Sequence, residues 1–136
     1  MEKILLEFIA TLEHSLKKQQ TESFSQLTFS QIQYLDAIAV LGEPTVSEVA
    51  ARLGFAKASA TTAINKLAAL GFVVKTQSEA DKRVFRVSLT ESGEQLARAR
   101  AQTIKNYVDF VASVLTAGEA RQFEAILTKL VAQFKS

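Results

Sequence analysis

The feature that most constrains this sequence is the placement of its chain-breaking residues. The 136 residues contain five glycines and one proline, and all of them lie at or between the ends of segments with helical periodicity. Breakers placed in this way divide a chain into discrete helices joined by short turns. The boundaries are marked, in chain order, by Gly42 and Pro44, Gly54, Gly71, Gly93 and Gly118.

Apolar residues recur at helical spacing in most of the segments between these boundaries, which predicts amphipathic helices. Thr28, Thr45 and Thr116 are each followed by Gln or Glu three residues later, and this capping-box pattern marks three helix starts. Two apolar stripes are formed by Ile4, Leu5, Phe8, Ile9 and Leu12, and by Ile32, Leu35, Ile38 and Ala39.

One region departs from the helical period. Residues 72–76 are rich in β-forming side chains, and residues 84–89 alternate with Phe85, Val87 and Leu89 on one face. The polar connection, residues 77–83, predicts an exposed and mobile hairpin tip. We therefore predict a mainly α fold with a small β-hairpin, in the order helix, helix, short helix, helix, hairpin, long helix, helix. The centre of the chain is a helix-turn-helix with a β-wing.

Composition argues against several classes of function. The chain has no cysteine and one histidine, His14, so it lacks material for a disulfide framework, a thiolate nucleophile or a cysteine-ligated zinc site. Phosphate-cradling glycine motifs are also missing. We expect no enzyme activity, no cofactor and no metal site, with His14 an exposed helical residue. No apolar run approaches the roughly 20 residues of a membrane span, and Glu7 interrupts any signal-peptide core, so we expect a cytoplasmic protein.

Basic residues concentrate in the middle of the chain. Residues 45–90 hold seven Lys and Arg against three Asp and Glu, whereas the remainder holds nine against eleven. This distribution favours a polyanionic partner for the central segment. Ordinary surface scatter explains the same count and remains open.

The second helix of the helix-turn-helix, residues 57–70, is the unit that enters a DNA major groove in such motifs. A projection at 100° per residue buries Ala60, Ile64 and Leu67 and turns Thr62 and Asn65 outward. Small and polar outward groups suit close approach to base edges, and Asn65 is able to pair with adenine. They equally suit packing against another protein helix, so a protein-interaction module without DNA binding is the alternative. The candidate DNA contacts on this helix are Lys57, Ala58, Ser59, Thr61, Thr62, Asn65 and Lys66.

Four sequence motifs follow one another in a consistent order. They are Leu27-Thr28-x-x-Gln31-x-x-x-Leu35, the segment 45–54 (TVSEVAARLG), Lys66-Leu67-x-x-x-Gly71-Phe72-Val73, and Asp81-Lys82-Arg83 followed by Val87-Ser88-Leu89-Thr90-x-x-Gly93. Through these motifs, about half of the chain resembles the MarR family of winged-helix transcription regulators.

The resemblance implies a regulator of transcription, usually a repressor, that binds double-stranded DNA. It implies that Asp81 braces the wing and that Arg83 enters the minor groove, where a narrow A·T-rich segment concentrates negative potential. A surface ion pair between Arg83 and Asp81, with no further role, is the alternative. Lys82 and Arg86 are further candidate contacts on the wing. Residues 28–90 would form the winged DNA-binding part of a single domain, 1–136, with residues 1–27 and 91–136 as dimerisation helices.

The resemblance also implies a two-fold dimer on a pseudo-palindromic operator, and relief of repression by a small hydrophobic or anionic effector. The nine phenylalanines either line an effector cavity or form core, and we favour core. Packing of the terminal helices within one chain is the alternative to a dimer. The candidate dimerisation residues are Leu5, Phe8, Ile9, Leu12, Phe123, Leu127, Leu130 and Phe134.

Two positions depart from the family pattern. Ala56 replaces a serine that caps the recognition helix in many relatives, a loss of about 1 kcal/mol unless compensated. Thr62 replaces a common arginine, so we expect weaker base reading by this helix and more specificity from the wing and from DNA shape.

Overall fold

The computed structural model describes residues 1–19 and 27–135 of the chain. Within these ranges, the predicted element order and the mainly α fold with a β-hairpin wing are confirmed. Residues 20–26, part of the first predicted dimerisation segment, lie outside the described residues. The elements are α1 (Glu2–Gln19), α2 (Phe29–Leu41), α3 (Val46–Leu53), α4 (Lys57–Ala69), β1 (Val73–Gln77), β2 (Phe85–Leu89), α5 (Glu91–Val114) and α6 (Ala117–Lys135).

Side-chain caps begin α2, α3 and α6 at the threonines that the sequence indicates. At Thr28 the hydroxyl accepts from the N–H of Gln31 at 3.2 Å, and the Gln31 side chain accepts from the Thr28 N–H at 2.9 Å. Thr116 and Glu119 form the same reciprocal pair before α6. The Thr45 hydroxyl accepts from the Glu48 N–H at 3.1 Å. These bonds satisfy backbone donors that have no partner inside the helix.

The turn between α3 and α4 depends on Gly54. Its backbone has φ of +73° in the left-handed region, and its N–H donates to carbonyl oxygens of Ala50 and Ala51. Most L-residues avoid this conformation because of their Cβ, so glycine ends α3 at little steric cost. Three residues separate the end of α3 from the start of α4.

The wing is an antiparallel hairpin whose second strand has partners on both sides. In the register of the two strands, Val73 lies opposite Leu89 at one end and Gln77 lies opposite Phe85 at the other. On its other edge, β2 meets the loop between α2 and α3, where the Val87 N–H donates to the Pro44 carbonyl at 2.8 Å. The hairpin is therefore fixed to the helix-turn-helix by its backbone as well as by its side chains.

The core of the winged part joins three helices to this strand. Its large fully buried side chains come from α2, α3, α4 and β2 and from Pro44 in the loop before α3. Full burial of one aliphatic side chain stabilises the fold by about 1.5–3 kcal/mol. One prediction was wrong, because Ala39 is exposed whereas Tyr34 and Ala37 are buried. The α2 helix is enclosed over a wider arc than one stripe. The fully buried large side chains are Leu35, Ile38, Pro44, Val49, Ile64, Leu67 and Val87.

Contacts divide the chain into two units, residues 1–100 and 101–136, with the boundary inside α5. In the first unit, Arg100 of α5 lies 3.5 Å from the Asp36 carboxylate of α2. Burial raises the pKa of Asp36 above its usual value, and the positive charge of Arg100 partly offsets this. In the second unit, α6 carries exposed apolar side chains along most of its length.

The preference for phenylalanine as core was wrong for most of these residues. Among the described phenylalanines, Phe72 is buried, Phe85 and Phe123 are half-buried, and the others are exposed. Phe24 lies outside the described residues. Branched aliphatic side chains fill the winged core instead. In residues 1–19 and 27–135, no helix is both long and apolar enough to span a membrane.

Candidate nucleic-acid interface

The α4 helix presents the outward face that its periodicity predicts. Ala60, Ile64 and Leu67 are fully buried against the winged core. On the opposite side, Thr62 and Asn65 are exposed. Since the outward side chains are short, the helix backbone is able to approach a surface closely. The other exposed candidates on this helix are Lys57, Ala58, Ser59 and Lys66, and Thr61 is half-buried.

The first turn of α4 has no side-chain cap. Ala56 occupies the N-cap position with an extended backbone, φ −65° and ψ 144°, and its side chain makes no capping hydrogen bond. The departure from the family pattern at Ala56 therefore has the structural consequence that we expected. Free N–H donors at a helix start attract anions such as phosphate.

Replacement of Ala56 with serine is expected to raise the free energy of unfolding by about 1 kcal/mol. The backbone already has cap geometry, and a serine hydroxyl would accept from the N–H of Ser59, three residues on. Urea denaturation followed by circular dichroism measures the change. Ala58→Ser adds the same hydroxyl inside the helix, so we expect it to stay within about 0.5 kcal/mol of wild type. Equal stabilities for the two variants would contradict the prediction.

The hydroxyl of Thr62 is engaged by its own helix. Its Oγ1 donates to the Ala58 carbonyl at 3.1 Å. The oxygen can still accept a hydrogen bond, whereas its proton is held within α4. Thr62 therefore suits a base edge that donates, such as an amino group in the major groove.

Asn65 is joined to the wing through a residue that the sequence analysis did not select. The Lys75 Nζ donates to the Asn65 Oδ1 at 3.0 Å and lies 4.8 Å from the centre of the Phe85 ring. Lys75 therefore connects β1 to α4. A signal was present in the sequence, because the strand alternation places Lys75 on the same face of β1 as buried Val73.

The hairpin tip is exposed, as predicted, and it is closed by a compact set of hydrogen bonds. The Ser78 N–H donates to the Val84 carbonyl at 2.8 Å, and the Val84 N–H donates to the Asp81 carbonyl at 2.9 Å. The Gln77 side chain donates to the Lys82 carbonyl at 2.7 Å. These bonds link both sides of the tip.

Asp81 and Arg83 form an ion pair at the tip of the wing, and their roles as brace and probe remain predictions. Asp81 Oδ1 accepts from the Arg83 backbone N–H at 3.0 Å, and the guanidinium donates to both carboxylate oxygens at 3.2 and 3.3 Å. The guanidinium hydrogen bonds hold the pKa of Asp81 below its usual value, with a further contribution from the backbone bond. The Arg83 side chain is 91% exposed, so it remains accessible while its direction is set.

A groove of about 440 Å³ separates α4 from the wing and brings predicted contacts together. Lys57, Thr61 and Arg83 all line it, and so does Lys75 of β1. Among the residues that the structure describes, no carboxylate lines the groove. Its remaining lining residues are Thr45, Val46, Ser47, Val84 and Phe85.

Arg86 lies in a different setting from the other candidates. Its guanidinium donates to the Glu43 carbonyl at 3.0 Å, in the loop that precedes α3. The side chain is exposed and does not line the groove. Its proposed contact with DNA remains a prediction. Lys66 and Lys82 are exposed outside the groove lining as well.

The candidate dimerisation residues are accessible within their own units. Phe8 on α1 is 55% exposed, and Phe134 on α6 is 89% exposed. Leu12 and Phe123 are half-buried. The remaining candidates, Leu5, Ile9, Leu127 and Leu130, are all exposed. His14 is exposed, as predicted.

A helix-turn-helix followed directly by an antiparallel hairpin defines the winged helix-turn-helix class of protein. A sequence model of the MarR family matches residues 25–84 of this chain. Together with the fold, this match makes the chain similar to the MarR family within the class.

Two regulators show the extent of the sequence likeness. The chain is 29% identical over 89 residues to the uncharacterized HTH-type transcriptional regulator YwhA of Bacillus subtilis, covering 65% of this chain and 64% of YwhA. It is 31% identical over 88 residues to the HTH-type transcriptional regulator PapX of Escherichia coli, covering 65% of this chain and 54% of PapX. The chain thus matches between about half and two thirds of the length of these relatives.

The fold is similar to that of a solved DNA complex. Streptococcus pneumoniae FabT, crystallised in complex with DNA, aligns with a TM-score of 0.82 over 99% of this chain and 98% of the FabT chain. The two are 20% identical in sequence, a level at which the likeness shows the fold alone.

Proposed function

We propose that this chain is a sequence-specific, double-stranded DNA-binding regulator of transcription, acting as a dimeric repressor in the cytoplasm rather than as an enzyme. The α4 helix lies in the major groove, and Arg83 reaches the neighbouring minor groove. The observation that carries the proposal is the groove in which Lys57 and Thr61 of α4 share one surface with Arg83 of the wing. A single DNA duplex is then able to contact both elements.

The charge of this surface supports a polyanionic partner. Lys57, Lys75 and Arg83 line the groove, and no carboxylate in residues 1–19 and 27–135 lines it to neutralise them. Asp81 is the acidic residue paired with Arg83, and it orients the guanidinium while leaving it exposed. The uncapped start of α4 adds backbone donors on the same helix.

The relatives support the same function. YwhA and PapX are described as HTH-type transcriptional regulators, and FabT was crystallised with DNA. A MarR-type regulator that binds as a dimer requires a pseudo-palindromic operator with half-sites about one helical turn apart. Relief by a small hydrophobic or anionic effector remains a prediction from the family resemblance.

The test is a salt titration of binding to DNA from upstream of the gene itself. We expect log K to fall linearly with log salt, by about 0.9 for each phosphate neutralised. Arg83→Ala should weaken binding roughly ten- to hundredfold. Lys66→Ala should reduce the salt slope by about two in a dimer, because one phosphate contact is lost in each protomer.

Arg98→Ala is the control for these variants. Arg98 is an exposed cation on α5, 3.9 Å from Glu94, and it belongs to neither α4 nor the wing. We expect its salt slope to equal that of wild type. Unchanged affinity and slope in both Arg83→Ala and Lys66→Ala would contradict the proposal. Failure of wild type to bind any duplex in dilute salt would favour a protein-interaction module.

A further inference from the structure

Lys75 holds a fixed position between the wing and the recognition helix. It is half-buried on β1 opposite Val87, and Phe85 is its diagonal neighbour on the same face of the hairpin. The ammonium lies 4.8 Å from the Phe85 ring centre, within the range of a cation–π interaction. The ring therefore supports the cation beside α4.

The contact between Lys75 and Asn65 determines the direction of the carboxamide. An ammonium has donors only, so the atom that receives its hydrogen bond at 3.0 Å must be the Asn65 oxygen. The carboxamide NH₂ then remains as the free polar group of Asn65. Since no carboxylate of the described part of the chain lines the adjoining groove, the Lys75 charge also remains available to an acceptor.

This arrangement changes what Asn65 is able to recognise. An asparagine reads adenine by accepting from N6 and donating to N7, which requires a free carboxamide oxygen. The oxygen retains a second lone pair, but a base amino group that reaches it would lie against the ammonium. Guanine presents two acceptors, N7 and O6, at the same edge. Asn65 and Lys75 together offer two donors that match this pair.

We propose that Lys75 is a specificity-determining residue, which turns Asn65 from an adenine reader into half of a donor-only pair that selects guanine. The proposal rests on the proposed DNA-binding function, because it concerns the base that faces Asn65. Lys75 acts partly as a positioning residue, by orienting the carboxamide, and partly as a direct donor to guanine O6.

The experiment selects bound sequences from random duplexes with wild type and three variants. Asn65→Ala identifies the base position, because preference there should disappear. At that position, we expect wild type to favour guanine over adenine by about tenfold, a typical discrimination for one base contact. Lys75→Met should favour adenine instead. Methionine preserves an unbranched apolar chain against Phe85, so the wing is expected to keep its fold.

Lys82→Met is the matched control, since it removes the same charge from an exposed position of the same hairpin. We expect weaker binding with the guanine preference retained, because a phosphate contact carries no base information. An identical preference at this position in wild type and Lys75→Met would overturn the proposal. A switch to adenine in Lys82→Met would also overturn it, because loss of a positive charge anywhere on the hairpin would then be enough to change the base preference.

A measurement without DNA separates this proposal from the proposed function. In ¹H–¹⁵N spectra of the free protein, Lys75→Met should shift the Asn65 carboxamide signals, whereas Lys82→Met should leave them in place. Unmoved signals in Lys75→Met would overturn the proposal even if the protein binds DNA. If the signals shift but the protein binds no duplex, the contact between Lys75 and Asn65 is real and the proposed function is wrong. The proposed role of Lys75 in base selection is then overturned as well.

Discussion

Replacement of Gly93 with alanine is expected to lower the free energy of unfolding by about 1–3 kcal/mol, the usual cost of overfilling a packed site. A Cβ at this position would collide with the Phe72 carbonyl oxygen and would lie 3.1 Å from its carbonyl carbon. That carbonyl is held in place, because it accepts from the Thr90 N–H at 3.0 Å. Relief of the collision therefore requires movement of the backbone at the entry to β1 or the start of α5.

This loss of stability is opposite in sign to the effect of replacing glycine with alanine at most helical positions. In an open helix, glycine to alanine stabilises by roughly 0.5–1 kcal/mol. Gly118 on α6 supplies the control, since the nearest atom to an added Cβ there is an Arg121 side-chain nitrogen at 4.0 Å. We expect Gly118→Ala to stabilise and Gly93→Ala to destabilise, as measured by thermal and urea unfolding. A stability gain in Gly93→Ala would show that the junction adjusts freely.

Local sequence patterns predicted the parts of this fold that depend on local causes. The period of α4 identified Ala60, Ile64 and Leu67 as buried, because a helix of 3.6 residues per turn places them on one side. Capping residues located helix starts for a similar reason, since the relevant hydrogen bonds span three residues. The exposed side of α4, which forms most of the candidate interface, followed from the same period.

The contacts that complete the interface are not local, and the sequence analysis missed them. Arg86 donates to a carbonyl 43 residues away at Glu43, and Val87 pairs with Pro44. Lys75 meets Asn65 only because the turn at Gly71 brings β1 back beside α4. Periodicity indicates which face of an element a residue occupies, but it does not identify the element that lies opposite. The partners of Lys75 and Arg86 required the folded chain.

Replacement of Leu130 with aspartate is expected to separate the proposed dimer and to reduce DNA affinity at least a hundredfold. Leu130 on α6 is 53% exposed within the chain, and we propose that a second copy covers it. In a two-fold interface the substitution occurs twice, and each buried carboxylate costs several kcal/mol. Two such costs raise the dimer dissociation constant by three orders of magnitude or more, at about 1.4 kcal/mol per tenfold.

The salt slope of DNA binding distinguishes loss of the dimer from loss of the fold. A folded monomer occupies one half-site, so we expect about half of the wild-type slope, because half of the phosphate contacts remain. Thr128→Asp is the control, since Thr128 lies about 200° around α6 from Leu130 and its hydroxyl donates to the Glu124 carbonyl of the same helix. Sedimentation and circular dichroism should show a folded monomer for Leu130→Asp and a dimer for Thr128→Asp. A dimeric Leu130→Asp variant with the full salt slope would place the two-fold interface elsewhere on the chain.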